Sequence, residues 1–176
     1  VEKPMGLNRE EVQDMLALAK QHPEQVVMEA SGRHARLQPK FHVIKSVIDS
    51  GKLGEIYYIH HNAAYRQGRP GIEYHPEAKW FLDRSKSGGG PLFDWGVYDL
   101  SFHLGLLSDR PALSGVQGFT RNGLDRKDPG TRIHDVEEHG VTMMTFDNGM
   151  HYYWERAGHA NVEVPDETRI YGTRGG

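Results

Sequence analysis

The sequence contains no cysteine among its 176 residues. This absence excludes disulfide bonds, thiol catalysis and metal sites built from thiolates. The sequence also has no apolar run long enough to span a membrane, and its start does not follow the pattern of a signal peptide. We therefore expect a cytoplasmic protein with no membrane partner.

The chain also has little net charge, because 21 Lys and Arg residues oppose 24 Asp and Glu residues for a formal net charge of -3. The basic residues are scattered among acidic ones, so we do not expect nucleic acid as a partner. None of the eleven histidines shows the spacing of metal ligands. His60 and His61 are adjacent on a predicted strand and point to opposite faces, so we predict no metal site.

A third absence concerns nucleotide binding, since no Gly-x-Gly-x-x-Gly motif lies between a predicted strand and helix. The first residues nevertheless have the pattern of an α/β layer. Asn8 followed by Glu11 predicts the start of an amphipathic helix that ends before Pro23. The apolar run from Val26 to Ala30 predicts a buried strand.

Beyond Ser31 the patterns are typical of an α+β fold with a predominantly antiparallel open sheet and helices on one face. A helix is predicted from about Gln38 to a left-handed cap at Gly51. Asp147-Asn148-Gly149 predicts a hairpin. The predicted strands are Glu55–Ala64, Val116–Thr120, Glu138–Phe146, Met150–Glu155 and Thr168–Tyr171, with a binding loop over Tyr65–Ser87 and a surface excursion over Asn122–Asp135.

The stretch from Gly88 to Leu107 predicts one helix that begins after a run of three glycines. Gly90 is the expected N-cap and Pro91 the first helical residue. Asp94 and Tyr98 lie four residues apart, which places a carboxylate and a phenol on one helix face beside a turn that a ligand can approach closely. An apolar stripe of Leu100, Leu104 and Leu107 is expected to face the core, and Asp99 and His103 are expected to form a pair on the helix surface.

Three segments, with their order and spacing, make the chain similar to a known family. They are Glu2-Lys3-Pro4, the stretch Lys45–Ile56 that contains Gly51-Lys52-Leu53-Gly54-Glu55, and Gly88–Tyr98; Ile170-Tyr171-Gly172-Thr173 follows in the expected place. Together they resemble the Gfo/Idh/MocA oxidoreductases, which include glucose–fructose oxidoreductase and inositol dehydrogenase. The resemblance covers essentially the whole chain.

The resemblance implies a two-domain enzyme with a Rossmann domain for NAD or NADP and an α+β domain whose sheet binds substrate and forms homo-oligomers, dimers or tetramers. Residues 1–31 are then a C-terminal remnant of the Rossmann domain. Residues 32–176 are then the substrate-binding and oligomerisation domain, truncated at its C-terminus. We therefore expect a fragment of a longer protein, and we expect the fragment alone to be inactive.

The resemblance also implies the site residues. Lys3, Asp94 and Tyr98 are the expected catalytic residues; Glu2, Lys3, Pro4 and Arg33 are expected at the cofactor; Lys3, Trp80, Gly89, Gly90, Asp94 and Tyr98 are expected at the substrate. Oxidation of a secondary alcohol requires a base for the hydroxyl proton as hydride leaves the same carbon. Tyr98 can serve as this base beside Lys3, or it can only position the substrate, because many relatives have His there.

Several alternatives remain open on the sequence alone. Lys3 can be a solvated charge, Asp94 a carboxylate favoured by a helix N-terminus, and Tyr98 or Trp80 a core aromatic. Arg33 and His34 either line the cleft or lie on the surface. The leading hypothesis is an NAD(P)-dependent oxidoreductase acting on CH–OH groups of a sugar, polyol or cyclic alcohol. The alternatives are a dinucleotide- or sugar-sensing regulator without catalysis, and a dimerisation module.

Overall fold

The computed structural model describes residues 1–66, 77–123 and 133–176, and a five-stranded sheet dominates them. The predicted loops include residues 67–76 and 124–132, which lie outside the described residues. The strand order is β2-β3-β4-β1-β5. The strands are β1 Ile56–Arg66, β2 Leu113–Arg121, β3 His139–Phe146, β4 His151–Ala160 and β5 Val164–Gly172.

All neighbouring strands are antiparallel except β1 and β4, which are parallel. The β3–β4 hairpin turns at Asp147-Asn148-Gly149 as predicted, and Gly149 adopts a φ of 84° that other residues avoid. The predicted fold class is therefore confirmed. The parallel pair could not be predicted, because β1 is the first strand in sequence and pairs with β4 across a long separation.

The helices are short and lie before or between the strands. The predicted caps of the first two are confirmed: the Asn8 side chain accepts a hydrogen bond from the Glu11 N–H at 2.9 Å, and Gly51 has a φ of 71°. The helices are α1 Arg9–Gln21, α2 Pro39–Asp49, α3 Arg84–Ser87, α4 Pro91–Asp94 and α5 Gly96–Gly105, with 3₁₀ turns at Ala30–His34 and Lys79–Leu82. Among the described residues, none of these helices is long and apolar enough to cross a membrane.

The buried strand predicted from Val26 to Ala30 is wrong. This segment has no strand structure, and Val26 is 96% exposed. The Val1 ammonium donates to the Met28 carbonyl at 2.9 Å, and the Ala30 N–H donates to the Val1 carbonyl at 2.9 Å. This is the slanted pattern of a parallel pair. These two hydrogen bonds alone do not extend into a strand. They also do not bury the segment, because a parallel strand is buried only within a sheet that is covered on both faces.

The single helix predicted from Pro91 to Leu107 is interrupted at Trp95, which separates α4 from α5. Gly96 follows the break and lies against the indole of Trp154 on β4. A Cβ atom at Gly96 would lie 2.2 Å from Trp154 Cζ2. The break thus allows the start of α5 to approach the sheet more closely than a side chain would permit.

The core lies between α5 and one face of the sheet. Leu107 is buried there, and Leu100 and Leu104 pack against it half-buried, so the predicted apolar stripe is confirmed. The buried sheet residues of this core are Ile59, Met144, Phe146, Tyr152 and Trp154, and Met150 joins them from the β3–β4 turn.

The opposite face of the sheet, which we call the open face, carries aromatic and polar side chains. His60 stacks on Tyr153 with ring centroids 4.8 Å apart, and Tyr153 donates a hydrogen bond to Glu155 at 2.8 Å. Met143 is 37% exposed and Phe119 is 59% exposed on neighbouring strands of this face. No helix of the described residues covers the open face.

The close contact of Gly96 with Trp154 predicts the effect of adding one methyl group. We expect Gly96→Ala to lower the free energy of unfolding by about 1–3 kcal/mol, because the added Cβ overpacks the space against the indole. Gly115→Ala is the matched control, since a Cβ there meets nothing within 4 Å. Urea unfolding measures both; equal stability of Gly96→Ala and the parent chain would contradict the packing described.

Candidate active site

The segment before α1 brings Lys3 to α4, 91 residues further along the chain. The Lys3 ammonium forms an ion pair with Asp94 Oδ1 and donates to the Asp94 carbonyl at 2.7 Å. Its Nζ also lies 4.7 Å from the centroid of the Tyr98 ring, a cation–π contact. The three residues predicted as catalytic are therefore in direct contact, although their roles stay predictions.

The cluster is open on one side, because the side chains of Lys3 and Asp94 retain 14% and 30% exposure. The Tyr98 ring is half-buried and meets the edge of His34, with centroids 5.3 Å apart. The ring centroid of exposed Trp95 lies 6.2 Å from the centroid of the Tyr98 ring. A substrate hydroxyl entering from the open side would thus meet an ammonium, a carboxylate and a phenol together.

The glycine run that precedes α4 is occupied by a side chain that the sequence did not single out. Glu137 accepts hydrogen bonds from the Gly90 N–H at 2.8 Å and from the Leu92 N–H at 3.0 Å. A Cβ at Gly90 would lie 2.0 Å from the Glu137 carbonyl oxygen. The glycine is therefore required by a close backbone approach, and the turn that a ligand is expected to approach already holds the Glu137 carboxylate.

The other predicted site residues differ in their exposure and in what they contact. Trp80 is 45% exposed and stacks on Phe81, its one ring partner in the described part of the chain. Glu2 is exposed, and half-buried Pro4 lines a cleft of about 400 Å³ together with Phe93. The side chain of Arg33 lies outside the described residues.

A buried polar network lies beneath the cluster and centres on Asp99. Arg156 donates to Asp99 through Nε at 2.6 Å and Nη2 at 2.8 Å, and the Trp154 indole donates at 3.0 Å. His61 Nε2 lies 3.4 Å from Asp99 Oδ2. Burial acts to raise the pKa of Asp99, but His61 and Arg156 stabilise the carboxylate and hold its pKa well below the usual range.

His103 completes this network one helical turn further along α5. Its Nδ1 lies 2.6 Å from the Tyr152 hydroxyl, and its Nε2 lies 2.9 Å from Thr168 Oγ1. Burial lowers the pKa of His103 to about 3, so the imidazole is neutral. The predicted surface pair of Asp99 and His103 is therefore wrong: both side chains face the sheet, beside the leucines of the same helix face.

The prediction of no metal site rested on the spacing of the histidines. In the described ranges, no three His, Cys, Asp or Glu residues are grouped so that they could hold a metal ion. The cleft of about 400 Å³ is lined by Pro4 and Phe93, the sequence neighbours of Lys3 and Asp94, and not by Lys3, Asp94 or Tyr98 themselves. The cluster nevertheless holds an ammonium, a carboxylate and a phenol, which are groups that alcohol oxidation by a nicotinamide requires beside the reacting carbon.

Residues 41–176 match the family model of the GFO/IDH/MocA C-terminal domain, so the chain belongs to that family. The expected family resemblance is thereby confirmed.

The chain is 28% identical over 176 residues to D-xylose 1-dehydrogenase [NADP(+)] of Haloarcula marismortui, a match that covers 99% of this chain and 44% of that protein. The chain therefore spans less than half the length of this curated relative. The expectation of NAD or NADP agrees with these comparisons, because this relative is named for NADP⁺ and a solved structure described next is complexed with NAD⁺.

The solved structures that share the fold include the following two. Aldose-aldose oxidoreductase from Caulobacter crescentus, complexed with glycerol, is 25% identical with a TM-score of 0.73, covering 97% of this chain and 45% of that one. An inositol dehydrogenase homologue from Azotobacter vinelandii, complexed with NAD⁺, is 19% identical with a TM-score of 0.78, covering 98% and 42%.

The buried His103 predicts a specific pH dependence of stability. Unfolded His103 binds a proton near its ordinary pKa of 6.5, whereas the folded protein resists protonation down to about pH 3. The unfolded state therefore binds more protons between these values, and the free energy of unfolding falls as the pH is lowered, by at most about 1.4 kcal/mol per pH unit.

We expect His103→Gln to make this decline shallower between pH 6.5 and 4, as measured by urea unfolding at several pH values. Tyr152→Phe is the control, because it removes a hydrogen-bond partner and lowers stability while it leaves the imidazole in place. An unchanged slope in His103→Gln would contradict the buried neutral histidine.

Proposed function

We propose that this chain is part of an NAD(P)-dependent oxidoreductase that transfers hydride between a nicotinamide and a secondary alcohol of a sugar, polyol or related cyclic alcohol. The convergence of Lys3, Asp94 and Tyr98 carries the proposal. Family membership supports it, as does the similarity to a protein named D-xylose 1-dehydrogenase. A regulator without catalysis would not require an acid–base set of this kind.

The three side chains divide the work of alcohol oxidation. The Tyr98 phenol takes or returns the hydroxyl proton, and the Lys3 ammonium stabilises the negative charge that this transfer creates. Asp94 fixes the position of the ammonium through their ion pair and orients the substrate hydroxyl. A bound nicotinamide supplies or accepts the hydride.

We assign further residues to the cofactor side and to the substrate side of this site. Glu2, Pro4 and Arg33 contact the cofactor, and Trp80, Gly89 and Gly90 face the substrate. Residues 1–31 are the end of a dinucleotide-binding domain, and residues 32–176 belong to the substrate domain. The parallel hydrogen bonds between Val1 and the segment of Met28 and Ala30 support this division, because parallel pairs are typical of an α/β layer.

The protein acts in the cytoplasm as a homo-oligomer that associates through the open face of the sheet. Exposed Met143 and Phe119, together with the stacked His60 and Tyr153, give this face the aromatic and Met content of a protein interface. Exposed apolar side chains on a sheet face otherwise favour aggregation.

The acid–base roles predict a large loss of turnover. In the longer polypeptide that carries this chain with its dinucleotide-binding domain, we expect Lys3→Ala and Tyr98→Phe each to lower kcat by about 10²-fold or more. Reduction of NAD⁺ or NADP⁺ with a panel of sugars and polyols, followed by absorbance, measures the effect.

Lys45→Ala is the matched control for Lys3→Ala, since Lys45 also pairs with an aspartate, Asp49, at 3.0 Å on the surface of α2. Turnover that stays at the parent level in both Lys3→Ala and Tyr98→Phe would refute the assignment.

The proposed oligomer predicts that a charge on the open face prevents association. We expect Met143→Glu to convert the oligomer to a monomer in analytical ultracentrifugation, because a carboxylate would have to be desolvated in the interface. Val43→Glu, at an exposed position of α2, is the control and leaves association unchanged. A parent chain that sediments as a monomer would rule out association through this face.

A further inference from the structure

We infer that Glu137 is a positioning residue for the active site, and that it acts by holding the glycine turn and α4 in the place that presents Asp94 to Lys3. The contacts themselves do not depend on the proposed function. The expected effect on turnover does rest on it.

The Glu137 carboxylate is bonded through both of its oxygens to the backbone at the start of α4. Oε2 accepts from Gly90 N–H at 2.8 Å and Oε1 accepts from Leu92 N–H at 3.0 Å. These are two of the N–H groups that a helix start leaves without an intrahelical partner. One side chain, 47 residues away in sequence from Gly90, thus satisfies both and fixes the orientation of α4.

The backbone of Glu137 is equally close to the turn. A Cβ at Gly90 would lie 2.0 Å from the Glu137 carbonyl oxygen, and one at Gly89 would lie 3.3 Å from Oε2. Gly89 and Gly90 are both buried. The turn therefore lies directly on Glu137 and cannot shift towards it.

Glu137 is itself held in place by the residues on its N-terminal side. The Asp135 N–H donates to the Leu82 carbonyl at 3.1 Å, and Asp135 Oδ1 accepts from the Arg84 N–H at 2.7 Å. Val136 is buried against Leu82. The support of α4 is thus anchored in the segment that precedes the glycine run.

The far end of α4 is where this support affects chemistry. Asp94 is the last residue of the four-residue helix, and both its carboxylate and its carbonyl bind the Lys3 ammonium. A shift of α4 at Gly90 therefore moves both acceptors of Lys3. Displacement of a catalytic group by about 1 Å costs up to about 10²-fold in rate.

Glu137→Gln tests the role without changing the size of the side chain. The amide has one acceptor oxygen, and its NH₂ group would face a backbone N–H, so at least one of the two hydrogen bonds is lost. Asp135→Asn is the matched control: Asp135 Oδ1 accepts the Arg84 N–H of α3, and the amide oxygen of Asn can accept the same N–H, so the charge is lost while this anchor is kept.

The first measurement uses residues 1–176 and does not depend on enzymatic turnover. Reductive methylation with formaldehyde, followed by mass spectrometry, compares the labelling rate of Lys3 with that of exposed Lys52 in the same digest. We expect Lys3 to react slowly in the parent chain and in Asp135→Asn, and to approach the rate of Lys52 in Glu137→Gln. Parent-like labelling of Lys3 in Glu137→Gln overturns the inference.

Two further variants keep the experiment decisive. Asp94→Asn should raise the labelling of Lys3 by itself, and adding Glu137→Gln to it should change nothing more, because both act through the same ion pair. If Glu137→Gln no longer unfolds cooperatively on heating, Glu137→Asp replaces it. This variant keeps both acceptor oxygens but is shorter by one methylene, so we expect it also to raise the labelling of Lys3 towards that of Lys52. Parent-like labelling of Lys3 in Glu137→Asp would overturn the inference in the same way.

The second measurement uses the longer protein with its cofactor. We expect Glu137→Gln to lower kcat by about 10- to 100-fold while KM for the alcohol changes little, and Asp135→Asn to leave both constants near the parent values. A parent protein without any turnover would refute the proposed function alone, because the labelling of Lys3 would still decide the role of Glu137.

Discussion

The ion pair between Asp99 and Arg156 determines how the helical layer sits on the sheet. Both side chains are buried, and the guanidinium binds both carboxylate oxygens while the Trp154 indole donates to one of them. Removing one partner of such a pair costs about 3–5 kcal/mol, because the other charge stays buried without compensation. Since Asp99 follows Tyr98 directly, the interaction that fastens α5 to β4 also sets the height of the phenol above the sheet.

The candidate site is assembled from segments that are far apart in sequence. Lys3 meets Asp94 across 91 residues, and Glu137 meets Gly90 across 47. Contacts of this separation are costly to form in an unfolded chain, because long loops must close first. The cluster therefore depends on the completed sheet, and its geometry is a property of the whole fold and not of α4 and α5 alone, which carry Asp94 and Tyr98.

Features with a local cause could be predicted from the sequence, and features that depend on a distant partner could not. The Asn8 cap, the left-handed Gly51 and the Gly149 hairpin follow from short-range sterics and hydrogen bonds. The strand at Val26 failed because a strand exists only with its neighbours. Asp99 and His103 were assigned to the surface by their polarity, although they lie on the same helix face as the leucines. The contact of Lys3 with Asp94 was predicted only through the family resemblance, and nothing local indicated Glu137.

The placement of the three tryptophans gives the protein its own optical reporters. Trp154 is 5% exposed beneath α5, whereas Trp95 is 55% exposed at the break beside Tyr98 and Trp80 is 45% exposed on its 3₁₀ turn. A buried indole emits at shorter wavelength than a hydrated one, so the emission spectrum separates the packing of the helical layer from events at the cluster. The helix break that admits Gly96 to the sheet thus also leaves a fluorophore at the edge of the site, where the arrival of a ligand changes its contact with water.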